Sequence, residues 1–456
     1  MTDNSKIIET AEQLDEAITF PPEAYISKDY ARAEQDKLWR KVWQQAGRLE
    51  DIPKVGNFIT YEIMDDSVII IRTAEDTIKA FHNVCSHRGR RLIDTPEGAR
   101  NASGFRAQFV CPFHGWRFNT DGKNADIQYE EDWQGALTED LKGLSEVKTV
   151  GTWGGWIWVN LDPDCEPLAE FLGVLPHMLD PFELQNMRPR WRKWGIFDCN
   201  WKVAMEAFNE TYHVQTTHPE FTQYGTFRGW ARVQGRHSHI GYDTPKGMDE
   251  NQSAKLRVGT TADPRKSTAD LQNYTWTKAN TNTTQTLVDA ANRLVDELPE
   301  GTPAGEVLVH WLTQARKDDE ARGVFWPKVD PAHVGKSGTA WQIFPNFQIG
   351  HAVNNALCYS ARPYGDDPDK CIFEAVVYEL FPEGEEPKAE WEFSPATEED
   401  WCYVLSQDFS NMAAMQKGMK SMGFSGPKPN PYMERSTANL HFNLSQYMNA
   451  GMVKKL

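Results

Sequence analysis

Two stretches decide how this chain folds and what it carries: NVCSHRGRR at 83–91 and QFVCPFHGWRFNTDG at 108–122. Each places one Cys and one His beside a glycine-containing turn, as Cys85-x-His87 and Cys111-x2-His114. Two thiolates and two imidazoles can close around zinc in a tetrahedral site. They can also hold a [2Fe–2S] cluster, with two Cys on one iron and two His on the other. Zinc fingers usually pair like with like, whereas both pairs here are mixed. Mixed pairs suit a cluster in which each loop must reach both irons. The aromatic residues of HGWRF (114–118) would shield such a group from water. The plain alternative is two satisfied histidines near two buried free thiols. It fits one such pair well and two such pairs, in this order, poorly.

Outward from these pairs, residues 55–160 read as a small all-β domain. NFITYEI, SVIIIRT, TIKAFHNV, FRAQFVCPF, WRFN and GWIWVNL are short, rich in β-branched and aromatic residues, and separated by turn signals. Before them, residues 1–45 read as helical, with DYARAEQDKLWRKVWQQ amphipathic. After them come a helix over 199–220, a polar loop over 241–282, strands at 339–350 and 371–381, and a final helix at about 397–421. No internal repeat is present. The expected division is 1–45 as a helical segment packing on the catalytic domain, 46–160 as the cluster domain and 161–456 as a catalytic domain.

The bulk numbers bound the function. A chain of 456 residues with 40% hydrophobic and 25% charged residues has room for two or three cored domains. A net charge of −17 disfavours nucleic acid and anionic membrane as partners. The N-terminus is acidic and lacks a secretory apolar core, and no apolar run reaches the length of a membrane span. Seven scattered cysteines argue against a disulfide framework and for a reducing cytoplasm.

A second metal site is legible beyond the first. ETYHVQTTH at 210–218 offers Glu210, His213 and His218. Glu210 and His213 would share a face of a helix, and Pro219 would end it so that His218 can turn back. Two imidazoles and one carboxylate form the facial triad of non-haem Fe(II), which leaves positions open. The carboxylate would come from elsewhere. Asp408 lies on an apolar stripe with Trp401, Leu405, Met412, Met415 and Met419. A buried carboxylate is costly unless it is paired or bound to a metal. A salt bridge to an unseen Arg or Lys is the bland alternative, and the two histidines tip the balance to metal.

Here the chain resembles the Rieske non-haem iron oxygenases, specifically the catalytic alpha-type subunit of the aromatic-ring-hydroxylating family. The resemblance rests on C-x-H-R-G … C-P-x-H-G-W, on NWK at 200–202 followed by E-x-Y-H-x4-H, and on Asp408 with Gln416-x-Gly418. It spans roughly residues 40–425. One departure is the 23 residues between His87 and Cys111, more than the family's habit; TPEGARNASGF could bulge outward there.

The resemblance implies an α+β chain, with a small all-β Rieske domain and a larger catalytic domain whose antiparallel sheet is surrounded by helices (helix-grip, START-like). It implies Cys85, His87, Cys111 and His114 as ligands of a [2Fe–2S] cluster, and His213, His218 and Asp408 as ligands of Fe2+. It gives Glu210 the role of an electron bridge between His114 of one subunit and His213 of the next, hence a homotrimer or a multiple of one, with or without a beta subunit. Glu at this position resembles monooxygenases, demethylases and quaternary-ammonium oxygenases more than ring dihydroxylases; a solvated helix carboxylate is the bland reading. No G-x-G-x-x-G follows a strand, so NAD(P)H would act only through a partner reductase, with or without a ferredoxin.

The expected activity is hydroxylation of a hydrophobic, aromatic or alicyclic ring with O2. Phe208, Phe221, Phe344 and Phe347 are pocket candidates that could equally be core, and 241–282 is a candidate lid or entrance. A Rieske demethylase or quaternary-amine monooxygenase is the alternative within the same chemistry. A non-catalytic electron carrier or zinc-stabilised binding protein is the alternative outside it, and neither would need His213, His218 and Asp408.

Overall fold

The computed structural model of this chain describes residues 7–224, 228–242 and 263–456. It forms two compact units, Arg32–Pro176 on one hand and Met1–Ala31 with His177–Leu456 on the other. The division differs from the boundaries read at 45/46 and 160/161. Gln44–Arg48 is a strand that pairs with Trp156–Asn160, so it belongs to the first unit through a pairing between segments over a hundred residues apart. The helical reading of 1–45 likewise holds only in part. Glu23–Ile26, Lys28–Glu34 and Gln35–Trp39 are helical, and Gln44–Arg48 is not.

The first unit contains a five-stranded and two three-stranded sheets. Val68, Ile69, Ile70 and Ile71 are all fully buried, which is why this strand reads as an unbroken apolar run rather than an alternating one. Ile69, Ile71, Phe81, Phe109, Trp116 and Phe118 share one core with Cys85 and Cys111. The core therefore reaches directly beneath the two loops that carry the Cys/His pairs.

The second unit is built on one eight-stranded sheet. Its strands are β1 (Arg188–Phe197), β2 (Gly229–Gln234), β3 (His237–Tyr242), β4 (Ala340–Ile343), β5 (Phe347–His351), β6 (Asn355–Tyr364), β7 (Asp367–Glu379) and β8 (Trp391–Phe393). The order across the sheet is β2-β3-β4-β5-β6-β7-β1-β8, antiparallel except for the parallel β1–β8 edge. Five helices matter to the site: α1 (Trp201–Glu206), α2 (Val214–Thr217), α3 (Pro264–Tyr274), α4 (Glu398–Met419) and α5 (Arg435–Met448).

Three expectations need correction. The helix expected over 199–220 stops at Glu206 and resumes only for the single turn of α2, so Glu210 and His213 do not share a helical face. Within the polar stretch 241–282, residues 243–262 lie outside the described residues, but Pro264–Tyr274 is a helix continued by Thr275–Ala279. Its buried residues are Arg265, Ser267, Thr268 and Gln272, so its inward face carries no apolar stripe to read. The helix at 398–419 is not the last, since α5 follows it.

Candidate metal centres

The two Cys/His loops are built alike. Gly89 N–H donates to the Cys85 carbonyl and Cys85 N–H to the Arg90 carbonyl. Gly115 N–H donates to the Cys111 carbonyl and Cys111 N–H to the Trp116 carbonyl. In both loops glycine stands four residues after cysteine at φ +75°, a left-handed conformation that a side chain would strain. Both cysteines are buried. Burial first, and then the Cys111 thiol beside it, push the Cys85 thiol up to about 11. A buried thiol raised in this way becomes thiolate readily only with a cation bound. The His87 and His114 rings lie 4.6 Å apart, and His87 stacks on Trp116 at 4.9 Å.

Among the described residues, one group of three or more His, Cys, Asp or Glu side chains has all its ligand atoms within 4.8 Å: His213, His218 and Asp408. In the two loops Cys85 and Cys111 meet thiol to thiol and His87 and His114 face each other, a thiol pair and an imidazole pair of the kind a binuclear cluster takes.

The second centre joins two elements distant in sequence. His213 caps α2 and His218 ends it, while Asp408 is buried on α4. Asp408 Oδ1 lies 3.0 Å from His218 Nε2 and 3.5 Å from His213 Nε2. Each histidine is oriented through its other nitrogen. His218 Nδ1 meets Gln407 Oε1 at 2.8 Å, and His213 Nδ1 meets the Glu210 carboxylate. Such partners fix the tautomer and aim Nε2 at a metal. Glu210 also accepts the backbone N–H groups of Tyr212 and His213, so it organises the turn that replaces the expected helix. Burial opposes protonation of His213, but the hydrogen bond and charge of Glu210, then the charge of Asp408, outweigh it and raise its pKa. Two imidazoles and a carboxylate converging from one side can hold Fe(II) with positions left open.

The residues of the NWK and Q-x-G motifs bind these elements together. The Asn200 side chain caps α1 by accepting from Lys202 N–H at 3.1 Å. Gln416 on α4 accepts from Asn200 N–H at 3.0 Å and donates to Asp369 at 2.8 Å. The segment carrying both histidines and the helix carrying the aspartate are thus tied by one amide. Met415, assigned to the buried stripe of α4, is exposed; Gln416 holds that place.

The aromatic candidates separate. Phe208 stacks on Tyr359 at 4.1 Å, and Phe221 lies edge-on to His218 at 6.2 Å. Phe344 packs on Tyr447 beyond the end of β4, and Phe347 pairs with Ser360 on the sheet face opposite to Gln348 and Tyr359. Strand alternation puts Phe347 on the far side from the centre. Sequence reasoning missed Gln407, Glu220 and Tyr403. Tyr403 O–H donates to Glu220 at 2.7 Å, and Glu220 lies 3.4 Å from Gln407 Nε2. The one signal for Gln407 is its place beside Asp408; Glu220 has none beyond following Pro219.

Residues 174–450 match the family model of the ring hydroxylating alpha subunit catalytic domain, and residues 42–144 match that of the Rieske [2Fe-2S] domain. The chain belongs to the family of Rieske oxygenase alpha subunits. These two domains imply a Rieske [2Fe-2S] cluster and a mononuclear iron, and the donor sets above fit both. The glycine betaine monooxygenase oxygenase subunit of Pseudomonas aeruginosa (strain UCBPP-PA14) is 32% identical over 208 residues, 45% of this chain and 46% of that protein. The biphenyl 2,3-dioxygenase subunit alpha of Rhodococcus jostii (strain RHA1) is 32% identical over 202 residues, 43% of this chain and 42% of that protein. The chain thus matches just under half the length of these relatives. A crystal structure of a quaternary ammonium Rieske monooxygenase with L-carnitine shares the fold, with TM-score 0.63 and 16% identity over 96% of this chain and 97% of that one. No helix among the described residues is long and apolar enough to cross a membrane.

Proposed function

We propose that this chain is a terminal oxygenase that uses O2, and electrons from a separate reductase with or without a ferredoxin, to hydroxylate a ring compound. The observation that carries it is the convergence of His213, His218 and Asp408 in a chain that also holds two mixed Cys/His loops. An electron carrier or a zinc-stabilised binding protein would have no use for that second centre.

When bound, the cluster supplies one-electron transfer and the mononuclear iron supplies O2 activation. Cys85 and Cys111 would hold one iron of the cluster, and His87 and His114 the other. His213, His218 and Asp408 would hold the mononuclear iron. The chain's own groups position these ligands. Gln407 and Glu210 hold the Nδ1 side of the two histidines. In this reading Glu210 also meets His114 of a neighbouring subunit and carries electrons across the contact, which requires a trimer or a multiple of one.

A second reading within the same chemistry is a demethylase or quaternary-amine monooxygenase. Glu210 favours it, and the betaine and carnitine proteins similar to this chain are consistent with it. Turnover with 18O2 separates the readings. A diol or phenol bearing the label identifies ring hydroxylation, and formaldehyde or a cleaved amine identifies the second. Electron consumption without a labelled product would remove both.

A further inference from the structure

The sheet face beside the mononuclear centre carries a row of buried polar side chains with unused hydrogen-bonding atoms. Ser238 on β3 is directly opposite Gln342 on β4, Gln342 is opposite Gln348 on β5, and Gln348 is opposite Tyr359 on β6. Residues paired in this way project to the same face, about 4.8 Å apart per strand. The row ends at the metal-bearing segment. The Gln348 amide donates to the Phe208 carbonyl, and the Phe208 ring stacks on Tyr359.

Ser238, Gln342, Gln348 and Asn209 are 1%, 4%, 2% and 1% exposed. Among the described residues, Ser238 Oγ, Gln342 Oε1, Gln348 Oε1 and Asn209 Nδ2 meet no hydrogen-bond partner. The opposite end of each amide is engaged: Gln342 Nε2 with the Pro345 carbonyl at 3.2 Å, and Asn209 Oδ1 with Thr437 Oγ1 at 3.0 Å. These contacts fix which end is left over. Buried polar atoms are rarely left unpaired, so three in one row, with a fourth on Asn209 next to Glu210 in the chain, mark a place where something else binds. The two amide oxygens of the row can only accept, so what binds along the row must donate to them, whereas Asn209 Nδ2, outside the row, can only donate.

We infer that the row Ser238–Gln342–Gln348 orients the substrate, and that the substrate class is a ring compound bearing O–H or N–H groups, such as an alcohol, a phenol or a primary or secondary amine. The inference rests on the oxygenase reading for what happens to the bound molecule, but not for the binding itself. A bare hydrocarbon would leave both amide oxygens unpaired. A quaternary ammonium ion has charge but no N–H to offer them.

The test is isothermal calorimetry on the full-length, anaerobic, metal-loaded protein with four probes that share one ring: toluene, benzyl alcohol, benzylamine and benzyltrimethylammonium. Benzyl alcohol and benzylamine bind about tenfold or more tighter than the two probes without a donor, as one added hydrogen bond permits. Gln342→Leu and Ser238→Ala, neither of which touches a metal-side contact, each reduce that preference; two variants guard against one failing to fold. Equal affinity across the four probes overturns the inference, as does a preference that survives in both variants. Iron content and O2 uptake are measured on the same samples. A metal-loaded protein that keeps the preference but takes up no O2 with reductant and any of the bound probes would sink the oxygenase reading and leave the polar row standing.

Discussion

Gln407→Leu isolates the way the fold prepares His218. The Gln407 oxygen meets His218 Nδ1 at 2.8 Å, in surroundings where His218 is 5% exposed. Leucine fills similar volume and cannot accept. The buried N–H then has no partner, which costs about 1–3 kcal/mol. Independently, losing the outer partner of a metal-bound histidine lowers metal affinity by about 10–100-fold. That is about 1.4–2.8 kcal/mol, so the two routes agree. The assay is competition for Fe(II) against a chelator, with cluster absorbance as an internal check that the first unit is intact. Gln407→Glu keeps an acceptor for His218 but sets a carboxylate against Glu220, so it should recover affinity only in part. Iron affinity within about twofold of the parent in the folded leucine variant would refute the reasoning.

Other outcomes follow from the same geometry. Asp408→Ala should lose the mononuclear iron and all turnover while keeping the cluster spectrum, and Cys111→Ser should lose the cluster spectrum and all turnover while keeping the mononuclear iron; metal analysis beside visible absorbance checks both. Glu210→Gln should keep cluster and iron yet slow single-turnover reoxidation of the reduced cluster by about tenfold or more. Burial holds His239 down to about 4 and His351 to about 3, so the fold keeps both neutral while the unfolded chain protonates them below about 6.5. The unfolded state binds more protons in that window, so stability should fall as pH drops from about 6.5 towards 4, by several kcal/mol in order of magnitude. Chemical denaturation across that range, with His239→Gln/His351→Gln losing most of the slope, checks it.

What the sequence revealed was what sits at short, fixed spacing. The mixed Cys/His loops, the His213/His218 pair and Asp408 are each identified by residue type and close neighbours, and the helix geometry of α4 put Asp408 among buried residues correctly. The break after Glu206 was hidden because it depends on Glu210 accepting two backbone N–H groups, which a periodic pattern does not encode. Helix α3 was hidden because its buried side is Arg265, Ser267, Thr268 and Gln272, although Asp263 and Pro264 were a readable start signal. The strand at 44–48 exists only through its long-range pairing with 156–159, so no local reading could find it, while Gln342 and Gln348 face each other across a hairpin whose register was not read from the sequence.

The most direct test of the two-centre account is iron, zinc and acid-labile sulfide per chain in anaerobically purified protein. The account predicts about three irons and two sulfides, one cluster plus one mononuclear iron. Zinc without sulfide would contradict it and make the paired loops a structural staple.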